Sequence, residues 1–523
     1  MDSPREIEIK FTTPAEAWPQ LKRSLPIRRG RAGKSTRLVS VYFDTHKCDL
    51  HKSGVSLRVR RNGRHRLQTI KAEEANSLST RGEWEREVRS DTPDLQAAQD
   101  TPAAKLLSKK KIQHRIRPVF ETRVNRIVYP IKLGESMIEV AFDQGEIDSG
   151  RESSPLCEVE LELKQGRPDD LFRLAKTLAE KVPVELALAS KAERGYRLLS
   201  GDGESAVKAA PVALRPDTPA SQAFQAIAHA CLVQLVENLP ALRKGDSEAL
   251  HQARVALRRL RAATSLFADV VRNQQTEGIK SELKWITSEF GPAREMDVLW
   301  ERADATSKET HALDADAELD GLPALEDELA QRRQRAFRRA RAAVESTRFR
   351  MLLIDVAAWI EVGAWLRTDD PLRRLQCETA IERLAATELD RCWKKILKRG
   401  RKLRGLDPRR RHKLRIAVKK IRYASEFFAG VFPGAKSNRR QTVFLKRLKP
   451  VQDCLGELND ITVHQHLTSE FAAEPAHGPR RKGGENTAFA AGLLSGHEQA
   501  RLADVLDAAD RAFRRCEEVK PYW

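Results

Sequence analysis

The chain has 523 residues, of which 41% are hydrophobic, and carries 94 Lys+Arg against 74 Asp+Glu for a net charge of +20. At roughly 100–200 residues per domain this predicts about two to four globular domains with a polyanionic partner, whether nucleic acid, polyphosphate or a membrane surface. No apolar run approaches the ~20 residues of a membrane helix, the start MDSPREIEIKF is too charged for a signal peptide, and seven scattered cysteines without a CxxC pair point to a reducing cytoplasm.

From Glu6 to about Lys164 the period is two. Alternating runs recur at Glu6–Phe11, Leu38–Asp44, Val55–Arg61, Leu67–Lys71, Glu83–Val88, Val119–Val124, Arg126–Ile131, Met137–Asp143 and Cys157–Lys164, often with turn residues between them. Eight or nine strands with little helix between them predict an antiparallel barrel or sandwich. Helical stretches interrupt near Asp94–Lys111 and Asp169–Lys181. Gly33-Lys34-Ser35 imitates the end of a P-loop, but Arg28 stands where its glycine is needed.

Gly201–Pro219 contains GDGES and three prolines and predicts a linker. From Ala220 the period becomes 3.6 and Ala and Leu dominate, as in an all-helical domain of roughly 300 residues. Pro323, Pro371, Pro408, Pro433 and Pro450 predict turns between helices, and Ala472–Asn486 a loose loop. The expected class is α+β multidomain, with an N-terminal antiparallel barrel over 1–200, a linker over 201–219 and an all-α duplicated bundle over 220–523.

The duplication is internal to the helical part. His251-Gln-Ala-Arg-Val-Ala-Leu-Arg-Arg-Leu-Arg261 aligns without a gap on His412-Lys-Leu-Arg-Ile-Ala-Val-Lys-Lys-Ile-Arg422. A second matched pair follows each, Phe290–Val298 and Leu455–Ile461. Two matched pairs in one order argue for a repeated helical unit.

Strand parity brings charge to one face of the N-terminal sheet. Glu6, Glu8 and Lys10 share a face, as do Arg58 with Arg60, Glu83 with Glu85 and Glu87, and Glu158 with Glu160, Glu162 and Lys164; Lys71, Arg123 and Asp143 extend the pattern. Like charges stacked at ~7 Å repel, and the opposite faces are apolar. A closed barrel with a charged interior satisfies both facts. Carboxylates would hold a hard divalent ion there, and Lys and Arg would hold phosphate oxygens.

These residues resemble the CYTH domains, the triphosphate tunnel metalloenzymes, whose ExExK signature matches Glu6-Ile-Glu8-Ile-Lys10. The resemblance spans about residues 3–200 and includes Tyr42-Phe-Asp-Thr45, Leu57-Arg-Val-Arg60, Thr69-Ile-Lys71, Glu83-Trp-Glu85, Thr122-Arg123, Phe142-Asp143, Glu158-Val-Glu-Leu-Glu162 and Ser190-Lys191. It implies Glu6, Glu8, Glu160 and Glu162 as ligands of Mg²⁺ or Mn²⁺. It implies Lys10, Arg58, Arg60, Lys71, Arg123 and Lys191 as triphosphate-binding residues of the tunnel. Asp143 and Glu85 become the catalytic candidates, for a second metal or for orienting the attacking water. Members hydrolyse inorganic or thiamine triphosphate, and some convert ATP to cyclic AMP.

In the helical part His251, Arg254, Arg258 and Arg261 fall within a stripe of about 80° at 100° per residue, and His412, Arg415, Lys419 and Arg422 repeat it. Lys394–Arg422 holds 15 Lys/Arg against Asp407 alone, and Arg332–Arg350 eight arginines against Glu345. Such surfaces suit a long linear polyanion. This half resembles the CHAD domains over roughly residues 215–515, which implies polyphosphate binding by those eight stripe residues. His464 and His466 are weak metal-ligand candidates.

The combined expectation is a cytoplasmic, metal-dependent inorganic triphosphatase, beside polyphosphate granules, tethered to a polyphosphate-binding domain. A non-catalytic polyphosphate binder and an adenylate cyclase of the same barrel family are the alternatives. Nucleic acid is disfavoured because aromatics are only 6%, and no membrane partner is expected.

Overall fold

The computed structural model describes residues 7–26, 33–72, 82–101, 103–201, 205–313, 322–473 and 484–523. They group into two compact units. One comprises Met1–Lys208, Leu232–Ala241 and Val344–Arg367; the other comprises Ala209–Cys231, Leu242–Ala343 and Thr368–Trp523.

The first unit is built on nine strands, β1 Ile7–Thr12, β2 Lys34–Asp44, β3 Val55–Asn62, β4 His65–Ala72, β5 Gly82–Glu87, β6 Arg117–Leu133, β7 Ser136–Asp148, β8 Ser153–Gln165 and β9 Glu185–Ala187. They form one sheet in the order β5-β4-β3-β2-β6-β7-β8-β1-β9, with every pairing antiparallel. Among the described residues β5 and β9 remain edges, so the hydrogen bonding does not close the sheet into the expected barrel. Two of the predicted runs are one strand. Asn125, between them, pairs with Gln144 without a break, so β6 runs 17 residues. The ninth strand, only three residues long, gives no alternating signal.

The alternation of the sequence is built inside out. Phe11, Leu57 and Leu161 are fully buried on the face away from the charges. Leu57, Val59 and Ile70 pack there with Leu50, Ala103 and Leu107. The helix Pro168–Lys181 lays Leu171, Phe172 and Leu178 against β1 and β8. The helix Thr347–Val362 packs on it in turn, with Lys176 Nζ 2.6 Å from Asp355 and Arg350 Nε donating to the Ala179 carbonyl at 3.0 Å.

The second unit is all helical, and its repeat is exact in structure. The helices Ser247–Leu266 and Pro408–Phe427 begin and end at equivalent positions. Asp246 caps the first by accepting from the Ala249 amide at 3.0 Å, and its counterpart Asp407 accepts from Arg410 at 2.9 Å. Capping of this kind fixes where a helix starts. The paired residues just past their ends, Phe267 and Phe428, meet with ring centroids 6.1 Å apart. Pro450 corrects an expectation: it lies inside the helix Ala435–Ala473 rather than at a turn. It forfeits one backbone hydrogen bond there, while Leu448, Val451 and Leu455 around it stay buried. The predicted loop at 472–486 lies mostly outside the described residues.

Candidate functional site

Register carries the charged face across the whole first unit. Glu8 stands opposite Glu162 and Lys10 opposite Glu160 between β1 and β8, Tyr42 opposite Arg58 between β2 and β3, Lys71 opposite Glu83 between β4 and β5, and Arg126 opposite Asp143 between β6 and β7. These side chains surround a cavity of about 220 Å³. Six cations line it (Lys10, Arg58, Arg60, Lys71, Arg126 and Lys191), with six carboxylates (Glu8, Glu83, Glu85, Asp143, Glu160 and Glu162).

The charges interlock. Arg126 donates Nε and Nη2 to the two Asp143 oxygens at 2.7 and 2.6 Å and also reaches Glu160. Lys191, held at the start of its helix by the Ser190–Glu193 capping box, places Nζ 2.9 Å from Asp143, 2.7 Å from Glu158 and 2.8 Å from Glu160. Lys10 lies 2.9 Å from Glu8, Lys71 2.8 Å from Glu83 and Arg58 3.3 Å from Glu83. Burial works against the Glu160 carboxylate, yet Lys191, Lys10 and Arg126 hold it well below its ordinary pKa. Among the described residues Arg60 alone of the six cations has no carboxylate partner; burial and the Arg58 charge push it down to about 10.

The carboxylates also suit a hard cation. Asp143, Glu158 and Glu160 each offer an oxygen within 4.8 Å of the others, the all-oxygen donor set that Mg²⁺ and Mn²⁺ prefer. In this trio the Lys191 ammonium already supplies positive charge. Glu8 and Glu162 are cross-strand neighbours, and among the described residues their ion-pair partners are Lys10 and Lys164 alone.

The second unit holds a larger cavity, about 1140 Å³, whose lining includes His251, Arg254, Arg258, His412, Arg415 and Lys419 from the two repeat helices. The second matched elements face them. Asn459 Oδ1 lies 2.7 Å from His412 Nδ1, and Arg294 crowds His251 at the corresponding place. The charged groups of Arg254, Arg415 and Lys419 make no hydrogen bond or ion pair among the described residues, and buried nitrogens of His251, Arg254 and Arg415 are unsatisfied. Burial and like charge show in their acidity: His251 is pushed down to about 4 by burial and Arg294, Arg254 to about 10 by burial and Arg258, and Lys419 to about 7 by burial, Arg415 and Arg258. Cations gathered without partners form a ready anion site.

A CYTH domain model matches residues 4–196 and a CHAD domain model residues 226–469. The chain joins a CYTH domain to a CHAD domain. The inorganic triphosphatase of Haemophilus influenzae is 30% identical over 197 residues, 37% of this chain and 55% of that protein, so the chain spans about half the length of this curated relative. The crystal structure of the CHAD domain from the plant Ricinus communis is 29% identical with a TM-score of 0.50, covering 60% of this chain and 97% of that one.

Most of the residues expected in the CYTH site line its cavity: Glu8, Lys10, Arg58, Arg60, Lys71, Glu85, Asp143, Glu160, Glu162 and Lys191. Glu6 lies outside the described residues. Arg123 does not line it. On β6 the cavity face is Thr122, Val124 and Arg126, so the odd-numbered Arg123 turns to the opposite face, among Glu121, Glu146 and Asp148. Arg126 takes the place expected of it and was legible only as the residue four beyond Thr122 on an unbroken strand.

In the CHAD domain six of the eight stripe residues line the cavity, and Arg261 and Arg422 do not. Arg261 is exposed, while Arg422 lies 3.7 Å from Glu426. Ten residues of helix carry them about 15 Å from His251 and His412. His464 is buried, with Nδ1 2.7 Å from a Glu498 carboxylate oxygen. Arg259 is buried rather than facing the cavity.

Proposed function

We propose that the CYTH domain hydrolyses inorganic triphosphate to diphosphate and phosphate with Mg²⁺ or Mn²⁺, and that the CHAD domain binds inorganic polyphosphate in the cytoplasm. The observation that carries this reading is the CYTH cavity itself, where six cations and six carboxylates converge on one face of the sheet. No helix among the described residues is long and apolar enough to cross a membrane.

In this reading the curved sheet serves as the tunnel. Lys10, Arg58, Arg60, Lys71, Arg126 and Lys191 bind the triphosphate oxygens, the arginines through paired N–H groups. Glu6, Glu8, Glu160 and Glu162 supply the metal ligands. The ion, when bound, withdraws charge from phosphate oxygens. Asp143 sets Arg126 and Lys191 in place through the contacts already described. Glu85, whose oxygen accepts from Thr69 Oγ1 at 3.1 Å, is left to orient the attacking water. Little covalent work remains for the protein beyond positioning and charge.

The test is phosphate release from inorganic triphosphate by the purified chain, with and without each metal, beside ATP and long-chain polyphosphate. Metal-dependent release from triphosphate is expected. No release from any substrate, with polyphosphate still retained, would replace this reading by that of a polyphosphate-binding protein.

A further inference from the structure

We infer that the surface from Lys395 to Lys413 continues the CHAD cavity outward, so that a long phosphate chain occupies the cavity and this surface together. The inference rests on the polyphosphate reading of the cavity. Eleven of the twenty residues 394–413 are Lys or Arg and one is acidic. They end the helix Ile381–Gly400, cross the turn Leu403–Gly405 and open the helix Pro408–Phe427. Arg399 Nη1 donates to the Lys413 carbonyl at 3.0 Å and ties the two helical ends into one surface.

Lys395, Lys398, Arg401, Lys402, Arg409 and Lys413 are exposed, and among the described residues no ion pair or hydrogen bond engages their charged groups. Arg409 and Lys413 also line the cavity, so the surface begins where the cavity opens.

The other basic stretch is different in kind. Arg332 and Arg335 are held by Glu328, Arg333 by Asp297 at 2.6 Å and Arg339 by Glu289 at 2.6 Å. Arg333 and Arg339 fasten their helix to others, and Arg332 and Arg335 brace it internally. Lys395, Lys398, Arg401, Lys402, Arg409 and Lys413 fasten nothing among the described residues, and like charges without partners cost stability unless a ligand or counterions answer them.

The chemistry of the surface reads charge alone. Residues 394–413 hold no Phe, Tyr or Trp, and the neighbouring Trp393 is buried, so bases have no ring to stack on. An unadorned phosphate chain fits such a surface better than a single-stranded nucleic acid.

The experiment compares the full chain with Lys395→Gln/Lys398→Gln/Lys402→Gln, three substitutions outside the cavity lining. Affinities are measured for polyphosphates of roughly ten and roughly one hundred units over a range of salt. The variant should lose about tenfold or more in affinity for the long chain, keep the short chain within about twofold, and show a log–log salt slope smaller by about 2 for the long chain. Equal losses at both lengths, or none at either, would overturn the inference. A larger loss for single-stranded DNA than for polyphosphate would assign the surface to nucleic acid and overturn it too. If neither length binds the unaltered chain, the cavity reading fails first and takes this inference with it. Retained short-chain affinity and an unchanged melting transition check that the variant is folded.

Discussion

Arg259 donates to the Glu426 carboxylate at 2.5 Å, and Lys420, its counterpart in the second repeat, donates to Ser265 Oγ at 2.7 Å. Positions 265 and 426 are themselves counterparts, 161 apart like 259 and 420 and like His251 and His412. One contact is therefore made twice across a local two-fold relation, and only one copy has a charged acceptor. Arg259 is 6% exposed, with its guanidinium 4.8 Å over the Phe427 ring. Glu426→Ala strands that buried charge and should cost about 1–3 kcal/mol in denaturant unfolding, and Ser265→Ala no more than about 1 kcal/mol. A larger loss at Ser265 would refute the assignment.

Strand parity makes opposite forecasts for two nearby arginines. Arg126→Lys keeps a charge beside Asp143 but loses the paired N–H geometry, and turnover should fall by about 10²-fold or more. Arg123→Ala removes a half-exposed surface contact and should leave turnover within about twofold, with little change in stability. Steady-state phosphate release on both variants checks this. Equal effects would mean that β6 presents its other face.

The acid and base limits of the CYTH unit follow from Glu160 and Lys191. Glu160 titrates below its ordinary 4.5 despite burial, because Lys191, Lys10 and Arg126 hold it charged. Its contribution is complete above that value and is lost as pH falls through the folded pKa. Burial alone would lower Lys191, but Glu160, Glu158 and Asp143 raise it above its ordinary 10.5, so its contribution is lost only on the far alkaline side. Unfolding free energy should stay level from about pH 5 to about pH 10 and decline below. Glu160→Gln should flatten the acid decline. A slope centred near neutrality would contradict this account.

Polyphosphate binding should instead depend on pH near neutrality. Lys419, pushed down to about 7 by burial, Arg415 and Arg258, is partly neutral where a polyanion requires it charged, so binding takes up a proton above that pH. Affinity at fixed ionic strength should fall as pH rises from about 6 to about 9, by at most about tenfold per unit from this one group. Lys419→Arg should remove most of that fall. An unchanged pH profile in the variant would sink the assignment.

Cutting the chain near Gly203 tests the division between the halves. Residues 1–203 would lose the helix Thr347–Val362, which belongs to the same compact unit and packs on Pro168–Lys181. The N-terminal fragment should therefore melt lower than the same unit in the intact chain, and adding residues 344–367 should restore it. An N-terminal piece as stable as the intact unit would show that the division falls at the linker.

Much of this was legible from period and offset. Alternation gave eight of the nine strands, because side chains of a strand must take turns between two faces. It gave the charged face too, since Glu8 with Lys10, and Arg58 with Arg60, keep one parity along their strands. It misplaced Arg123 because Asn125 read as a gap between two runs, whereas β6 continues through it. The gathering of Asp143 and Glu158 around Lys191 depends on strands and a helix distant in sequence, and no local pattern carries that. In the CHAD domain the stripe was legible, but a helical wheel ignores rise along the axis, so Arg261 and Arg422 were included although they lie nearly three turns from His251 and His412.

The paired charges of the CYTH cavity bear on turnover. Five of its six cations already touch carboxylates. A ligand enters only by offering enough negative oxygens at once to win several of those cations together. On the proposed hydrolysis each fragment would offer fewer, while Glu83, Glu160 and Asp143 would remain within reach of their former partners. The walls would thus oppose the product more strongly than the substrate, as the carboxylates reclaimed their own cations.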